Sequence, residues 1–207
     1  MTGAFFDSFY ATDPTYYGTD VRPEYLAFLD SLGVAEPAIL DLGAGQGRHA
    51  IVAARRGARV TAVDYSELGT KQLAGLARAS GLPITAEQAD VTRYEGAPEH
   101  FDGVVMVSLL SHLDLSAVQN VVDRAFDALT PGGQVFCEAF TTEDPGFRHA
   151  ANVSETAGAL STYFAPGTLL PYFSAFEIVS YREFVEDDFA HGPAHQHGVA
   201  LLVGRKR

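Results

Sequence analysis

The sequence is poor in the residues that crosslink chains or bind polyanions. Its 207 residues include no tryptophan and one cysteine, Cys137, so no intramolecular disulfide can form. Lysine occurs only at Lys71 and Lys206, and the formal net charge is -12. Because the arginines are scattered, the chain lacks the basic surface that neutralises phosphates. This argues against nucleic acid and against an anionic membrane as partners.

Long apolar runs and a basic leader are also missing. No apolar run approaches the length that crosses a bilayer, and no basic segment followed by an apolar core resembles a signal peptide. We therefore expect a cytoplasmic protein. Apolar residues make up 47% and charged residues 19% of the chain, which is typical of one globular domain over 1–207. Within the apolar run 134–140, Cys137 is expected to be buried and structural rather than a nucleophile.

The residues that carry chemistry are concentrated in 38–64, AILDLGAGQGRHAIVAARRGARVTAVD. A short apolar run carrying Asp41 leads into a glycine turn, then into an alanine-rich segment with helical spacing, and then into a second apolar run that ends at Asp64. This order predicts strand, turn, helix and strand. Glycines remove Cβ atoms from the turn, so a ligand can lie against main-chain N–H groups. An acid about 20 residues beyond such a turn meets ribose hydroxyls in nucleotide-binding βαβ units.

The glycine spacing separates two classes of nucleotide-binding protein. A dinucleotide fold requires a third glycine where this chain has Arg48, which makes a nicotinamide-dependent oxidoreductase a weaker alternative. The segment Asp-x-Gly-x-Gly-x-Gly followed by Asp64 resembles motif I of the class I S-adenosylmethionine (SAM) dependent methyltransferases. A purely structural turn in another doubly wound protein stays open on the motif alone.

Further segments resemble the same family over nearly the whole chain. The passage from HLD through ALTPGGQVFCEAF is similar to the corresponding region of many class I methyltransferases. DLGAGQGR, EAFTTED and the final VALLVGRKR look like the small tellurite-resistance and thiopurine-methyltransferase-like branch. The resemblance implies an α/β, Rossmann-like, doubly wound sheet of seven strands, mostly parallel, with an antiparallel C-terminal hairpin.

The sequence pattern predicts an N-terminal aromatic cap and helix over 1–32 and a Rossmann-like core over 38–205. The aromatic residues before residue 20 either form a lid over the ligand or complete the core. Outside the central unit, predicted helices are 23–32, 66–79, 115–129 and 166–173, and predicted strands are 84–89, 101–110, 134–140, 177–185 and 198–204. The polar segment 141–162 is expected over the carboxyl edge of the sheet.

The resemblance also implies a cofactor, SAM, and its product S-adenosyl-L-homocysteine. Arg48 is expected at the methionyl carboxylate, with a surface ion pair as the alternative. Asp90 is expected at the adenine amino group, with a helix N-cap as the alternative. The residues expected to bind the cofactor are Asp41, Gly43, Ala44, Gly45, Arg48, Asp64, Tyr65, Asp90, Val91 and Ser108.

The expected activity is methyl transfer to a small-molecule acceptor by in-line displacement, catalysed mainly by proximity. His112 is the candidate general base, or else a hydrogen-bonded loop histidine. Tyr16, Tyr17 and His195 are the candidate substrate contacts. The spacing of His191, His195 and His197 matches no standard ligand set, so no metal is predicted. A noncatalytic SAM- or nucleotide-binding regulator is the alternative function, while the acceptor atom and the oligomeric state stay open.

Overall fold

A computed structural model of the chain describes residues 3–148, 162–189 and 194–207. These residues form a seven-stranded sheet in the order β3-β2-β1-β4-β5-β7-β6. β1 to β5 are parallel, whereas β7 runs antiparallel to both β5 and β6. The predicted fold class is therefore confirmed. The strands are β1 Ala38–Leu42, β2 Arg59–Asp64, β3 Ile84–Gln88, β4 Phe101–Val107, β5 Leu129–Phe140, β6 Glu177–Asp188 and β7 His195–Arg205.

Helices cover both faces of this sheet. They are α1 Gly3–Tyr10, α2 Pro23–Ser31, α3 Arg48–Arg55, α4 Glu67–Ser80, α5 Leu115–Ala128 and α6 Pro145–Arg148, with 3₁₀ helices at Leu109–His112 and Leu170–Phe173. Both ends of α4 lie within one residue of the predicted helix 66–79: the Ser66 hydroxyl accepts from Gly69 N at 2.8 Å, and Gly81 ends the helix at φ 63°. Within the described residues, none of the helices combines the length and the apolar character needed to span a membrane.

Two apolar clusters hold the helices on the sheet. One contains α5 residues such as Val118 together with Leu110 and Phe173, and the other contains Tyr25 of α2 and Phe136 of β5. Cys137 lies fully buried in the first cluster, and its burial and the neighbouring Glu138 raise its pKa. A buried, protonated thiol has a structural role, as the sequence predicts.

Strand β4 is shorter than predicted. The apolar run 101–110 continues unbroken, yet the strand ends at Val107 and Ser108 takes φ 59°, after which the chain forms the 3₁₀ helix Leu109–His112. An apolar run does not distinguish a buried strand from a buried helical turn, since Leu110 is fully buried in either case.

The last strands are longer than predicted, and the segment between the predicted helix 115–129 and the predicted strand 134–140 also belongs to a strand. Residues 130–133 lie within β5 as an irregularity, where Gly132 N donates to Lys206 O and Lys206 N donates to Gly133 O. β6 ends at Asp188 and β7 begins at His195, so each strand is three residues longer than predicted at the end where the two are joined. Two smaller differences are that α1 forms where the sequence shows no period, and that the helix predicted over 166–173 is reduced to Leu170–Phe173.

Candidate active site

A cavity of about 790 Å³ lies at the carboxyl edge of the sheet. Helix α1 covers it on one side, and the end of the β6–β7 hairpin closes it on the other. All ten residues predicted to bind the cofactor line this cavity, as do His112 and Tyr17. Its volume is within the range of small-molecule and cofactor sites, about 300–1,000 Å³. The fold thus brings these side chains together, although their binding roles stay predictions.

The glycine turn after β1 is fixed by main-chain hydrogen bonds to β2. Gly43 N and Ala44 N both donate to Val63 O, at 2.8 and 3.1 Å. Gly45 has φ 56°, and a Cβ built on it would lie 2.6 Å from the Tyr10 hydroxyl. Only glycine fits both the conformation and the close approach. Helix α1 therefore packs directly onto the turn.

Asp64 ends β2 beside this turn. Its Oδ2 accepts from Gly45 N at 2.8 Å and its Oδ1 accepts from Ser66 N at 2.7 Å. Burial raises the pKa of Asp64, while these backbone hydrogen bonds oppose that rise. Each carboxylate oxygen can accept a second hydrogen bond, so the group retains acceptors for ligand hydroxyls.

Asp41 is the least satisfied polar side chain of the cavity wall. Among the residues that the structure describes, its Oδ2 is buried without a hydrogen-bond partner. Burial, and then the nearby Asp64, raise the pKa of Asp41 to about 7. A buried acceptor that lacks a protein donor indicates a ligand donor or cation at this place.

Asp90 and Val91 follow β3 on the opposite side of the turn. Asp90 Oδ1 accepts from Thr92 N at 2.9 Å and from the Thr92 hydroxyl at 2.7 Å, which forms a turn. No helix follows in this described part of the chain, so the alternative of a helix N-cap is wrong. Val91 is buried, and Tyr65 is 48% exposed at the rim of the cavity.

The N-terminal aromatic residues cover the cavity. Phe6, Tyr10 and Tyr17 line it, and the edge of the Phe6 ring meets His112 with 5.2 Å between ring centroids. Arg48 Nη1 donates to Tyr17 O at 3.1 Å, which joins the start of α3 to this cover. These three aromatic residues lie where a lid would lie, and Tyr10 is also buried in the core; that they cover a ligand stays a prediction.

Two predicted substrate contacts lie outside the cavity lining. The Tyr16 ring packs against Phe9 and Tyr17, and its backbone N–H donates to Gln46 Oε1 at 3.0 Å. His195 is buried with its Nε2 2.9 Å from His197 Nε2, and it is His197 that lines the cavity. Strand alternation gives both histidines one face, so the pattern alone could not say which of them reaches the ligand.

Asp102, the acid within the apolar run 101–110, lies away from the cavity, because its carboxylate accepts from Ala38 N at the amino end of β4. His191 lies outside the described residues.

Sequence reasoning missed the ion-pair network on the cavity floor. Arg22 Nε lies 2.7 Å from Glu138 Oε2, and Arg22 Nη2 lies 2.6 Å from Glu186 Oε1. Burial raises the pKa of Glu138, and Arg22 acts in the opposite direction. The one local signal was an acid within the apolar run of β5, the same signal that marks Asp41 in β1. Arg22 and Glu186 carry no such signal.

The seven-stranded fold and part of the sequence are similar to those of methyltransferase domains. Residues 39–133, which span β1 to the middle of β5, match the family described as a methyltransferase domain. The chain resembles the class I SAM-dependent methyltransferases in this segment and in its strand order.

Curated proteins with a related sequence match part of this chain. The chain is 34% identical over 121 residues to a ubiquinone biosynthesis O-methyltransferase of Pseudomonas fluorescens, an alignment that covers 56% of this chain and 50% of that protein. The chain thus spans about half the length of the curated relatives it matches.

Solved structures with a similar fold superpose on nearly the whole chain. TehB from Haemophilus influenzae superposes with a TM-score of 0.76 at 19% identity, covering 98% of this chain and 67% of that one. A 1,6-didemethyltoxoflavin-N1-methyltransferase of Burkholderia thailandensis, solved with bound 1,6-didemethyltoxoflavin and S-adenosylhomocysteine, superposes with a TM-score of 0.70 at 23% identity. That alignment covers 98% of this chain and 85% of the other.

Proposed function

We propose that this protein is a SAM-dependent methyltransferase that acts on a small molecule. The observation that carries the proposal is one continuous cavity. It runs from the glycine turn and the buried Asp41 Oδ2, which has no hydrogen-bond partner among the described residues, to a polar floor formed by Glu138 and His197. One end fits a cofactor, and the other leaves room for an acceptor. A noncatalytic SAM- or nucleotide-binding regulator needs only the first part.

The residues present fit SAM. Asp64 would accept from the ribose hydroxyls, and Asp90 and Val91 would hold the adenine. Asp41 would accept from the methionyl ammonium group, which satisfies its buried Oδ2. Arg48 at the start of α3 would lie beside the methionyl carboxylate.

Orientation and exclusion of water are the main catalytic contributions of the chain. When bound, SAM supplies a methyl carbon on a sulfonium sulfur, from which the lone pair of the acceptor displaces S-adenosylhomocysteine in line. Holding the two reactants close together in the correct orientation can lower the activation barrier by about 7–11 kcal/mol. Phe6, Tyr10 and Tyr17 cover the site, and His112 would take the proton from an acceptor that must lose one.

The charge of the cavity favours a neutral or cationic acceptor. Nine carboxylates line it, namely Asp20, Asp41, Asp64, Asp90, Asp114, Glu138, Glu186, Asp187 and Asp188, against three arginines, Arg22, Arg48 and Arg55. Such an excess attracts the sulfonium and repels oxyanions. The names of the curated relatives, which are O-methyltransferases, support oxygen as the acceptor atom.

Calorimetric titration with SAM, S-adenosylhomocysteine and NADH tests the cofactor first. We expect the two adenosyl ligands to bind and NADH not to bind. Asp64→Ala should weaken SAM binding by about 1–3 kcal/mol, because ribose hydroxyls lose a buried acceptor. Asp30→Asn, a change in an exposed acid of α2, is the matched control and should leave the affinity unchanged.

Release of S-adenosylhomocysteine then tests turnover. SAM and protein are incubated with panels of small phenols, amines and thiols, and at least one panel should release product faster than a no-acceptor control. Binding of NADH alone would contradict the cofactor assignment. Tight SAM binding with no turnover on any panel would favour the regulator.

A further inference from the structure

The inner end of the β6–β7 hairpin gathers three metal-ligating side chains, Asp188, His195 and His197, here named the hairpin triad. Asp188 lies opposite His195 in the antiparallel register, and His197 follows two residues later on the same face of β7. One ligand atom from each residue lies within 4.8 Å of the other two. His195 and His197 are buried, and Asp188 is half-buried.

The distances within the triad suit a shared cation. His195 Nε2 lies 2.9 Å from His197 Nε2, and His197 Nε2 lies 3.7 Å from Asp188 Oδ2. With metal–nitrogen bonds of about 2.1 Å, two nitrogens at that separation subtend an angle of roughly 90°. By the same geometry, the His197 nitrogen and the Asp188 oxygen 3.7 Å apart subtend roughly 120°. The three ligand atoms therefore suit an irregular site, and two histidines with one carboxylate form a known three-ligand set that leaves positions open.

A fourth residue orients the triad. His197 Nδ1 lies 2.9 Å from Asp144 Oδ2, and that buried carboxylate is itself fixed by Gly198 N at 3.1 Å and Gly146 N at 2.7 Å. A carboxylate at Nδ1 assigns the proton to that nitrogen and leaves the Nε2 lone pair directed at the triad. Such a carboxylate and histidine pair is the usual second layer of a metal site.

We propose that the hairpin triad binds a divalent first-row transition cation, with Asp144 as a positioning residue. Asp188 and His197 also line the cavity, so an open position on the cation faces the acceptor end. Resting on the proposed function, the cation would bind the oxygen of an acceptor hydroxyl whose proton passes to His112, and it would stabilise the oxyanion that the acidic floor alone would disfavour. The rival arrangement is one proton shared between the two imidazoles, which needs no cation.

Cobalt binding to the untagged 207-residue chain tests the site. Co²⁺ titration followed by visible absorption should give d–d bands that saturate near one equivalent, and competing Zn²⁺ should remove them. Asp188→Asn and His197→Asn should each weaken binding at least tenfold, and Asp144→Asn should weaken it about 10–100-fold. His100→Ala, which changes a histidine at the amino edge of the sheet, should bind as wild type does.

Failure of the site and failure of the proposed function give different results. Absence of the cobalt bands in the wild-type protein overturns the inference, whatever the variants do, and supports the shared proton. Equal binding by wild type and both triad variants, each checked for folding by circular dichroism, also overturns it. Cobalt bands without SAM binding contradict only the proposed function, whereas SAM binding without cobalt bands contradicts only the metal site.

Discussion

At the scale of single residues, the protonation state of Asp41 depends on its burial and on the charged groups beside it in the cavity wall. Its side chain is 3% exposed, and its pKa rises from 3.8 to about 7 through burial and the neighbouring Asp64. Below about pH 4 the folded and unfolded chains both carry this proton. Between the two values only the folded chain keeps it, so the contribution of Asp41 to stability falls as pH rises.

Asp41→Asn should remove this pH dependence. The free energy of unfolding of the variant minus that of wild type should rise by about 2–4 kcal/mol between pH 4 and pH 8, since one pKa unit is worth about 1.4 kcal/mol. Urea unfolding at several pH values measures both free energies, and titrating groups that do not interact with Asp41 cancel in the difference. A difference that stays flat across this range would mean that Asp41 is ionised in the folded protein.

At the scale of elements, helix α4 offers a matched pair of glycines. A Cβ on Gly69 would lie 2.9 Å from Gly45 O and 3.0 Å from Tyr10 Cε2, whereas a Cβ on Gly75 would meet no atom within 4 Å. Gly75→Ala should stabilise the protein by about 0.5–1 kcal/mol, because alanine favours the helix. Gly69→Ala should instead destabilise it by about 1–3 kcal/mol and weaken SAM binding, since the helix must move away from the turn.

Thermal unfolding and SAM titration of both variants check this pair. We expect the same substitution, made at two positions of one helix, to change the stability of the protein in opposite directions. Stabilisation of both variants would show that α4 does not pack closely on the glycine turn at Gly69.

Helix α1 is the second element on which the cofactor end depends. Tyr10 is 4% exposed, and its carbonyl accepts from Gln72 Nε2 at 3.0 Å, so the ring is held between α4 and the turn. Tyr10→Ala should cost about 3 kcal/mol of stability through the cavity that it leaves, and it should lower SAM affinity. Tyr10→Phe keeps the ring and should retain most of both. Wild-type affinity in Tyr10→Ala would show that α1 does not cover the ligand.

At the scale of the whole molecule, the sequence was sufficient to predict those features of the cavity wall that lie in one contiguous segment. The turn, Asp41 and Asp64 fall within 38–64, where strand, glycine spacing and terminal acid are all local signals. The strand order also followed, because the element pattern and the family resemblance agree along the chain. Strand ends were less accurate, as at Ser108, because apolar runs continue through changes of backbone conformation.

The acceptor end could not be predicted in the same way. Arg22, Glu138 and Glu186 come from the loop before α2, from β5 and from β6, and Asp144 and His197 are 53 residues apart. Only the placement of β7 between β5 and β6 brings these groups to one wall of the cavity. No local spacing records that placement.

The net charge of -12 also acts on the whole molecule, through the field at the cavity. SAM carries one more positive charge than S-adenosylhomocysteine, at the sulfur that would face the acidic floor. The affinity for SAM should therefore fall roughly twofold to fivefold when ionic strength rises from about 0.03 to 0.3 M, because salt screens the attraction. The affinity for S-adenosylhomocysteine, measured in the same calorimetric series, should change less than about twofold. Equal salt dependence for both ligands would mean that the carboxylates of the cavity do not act on the sulfonium, and the preference for neutral or cationic acceptors would lose its electrostatic basis.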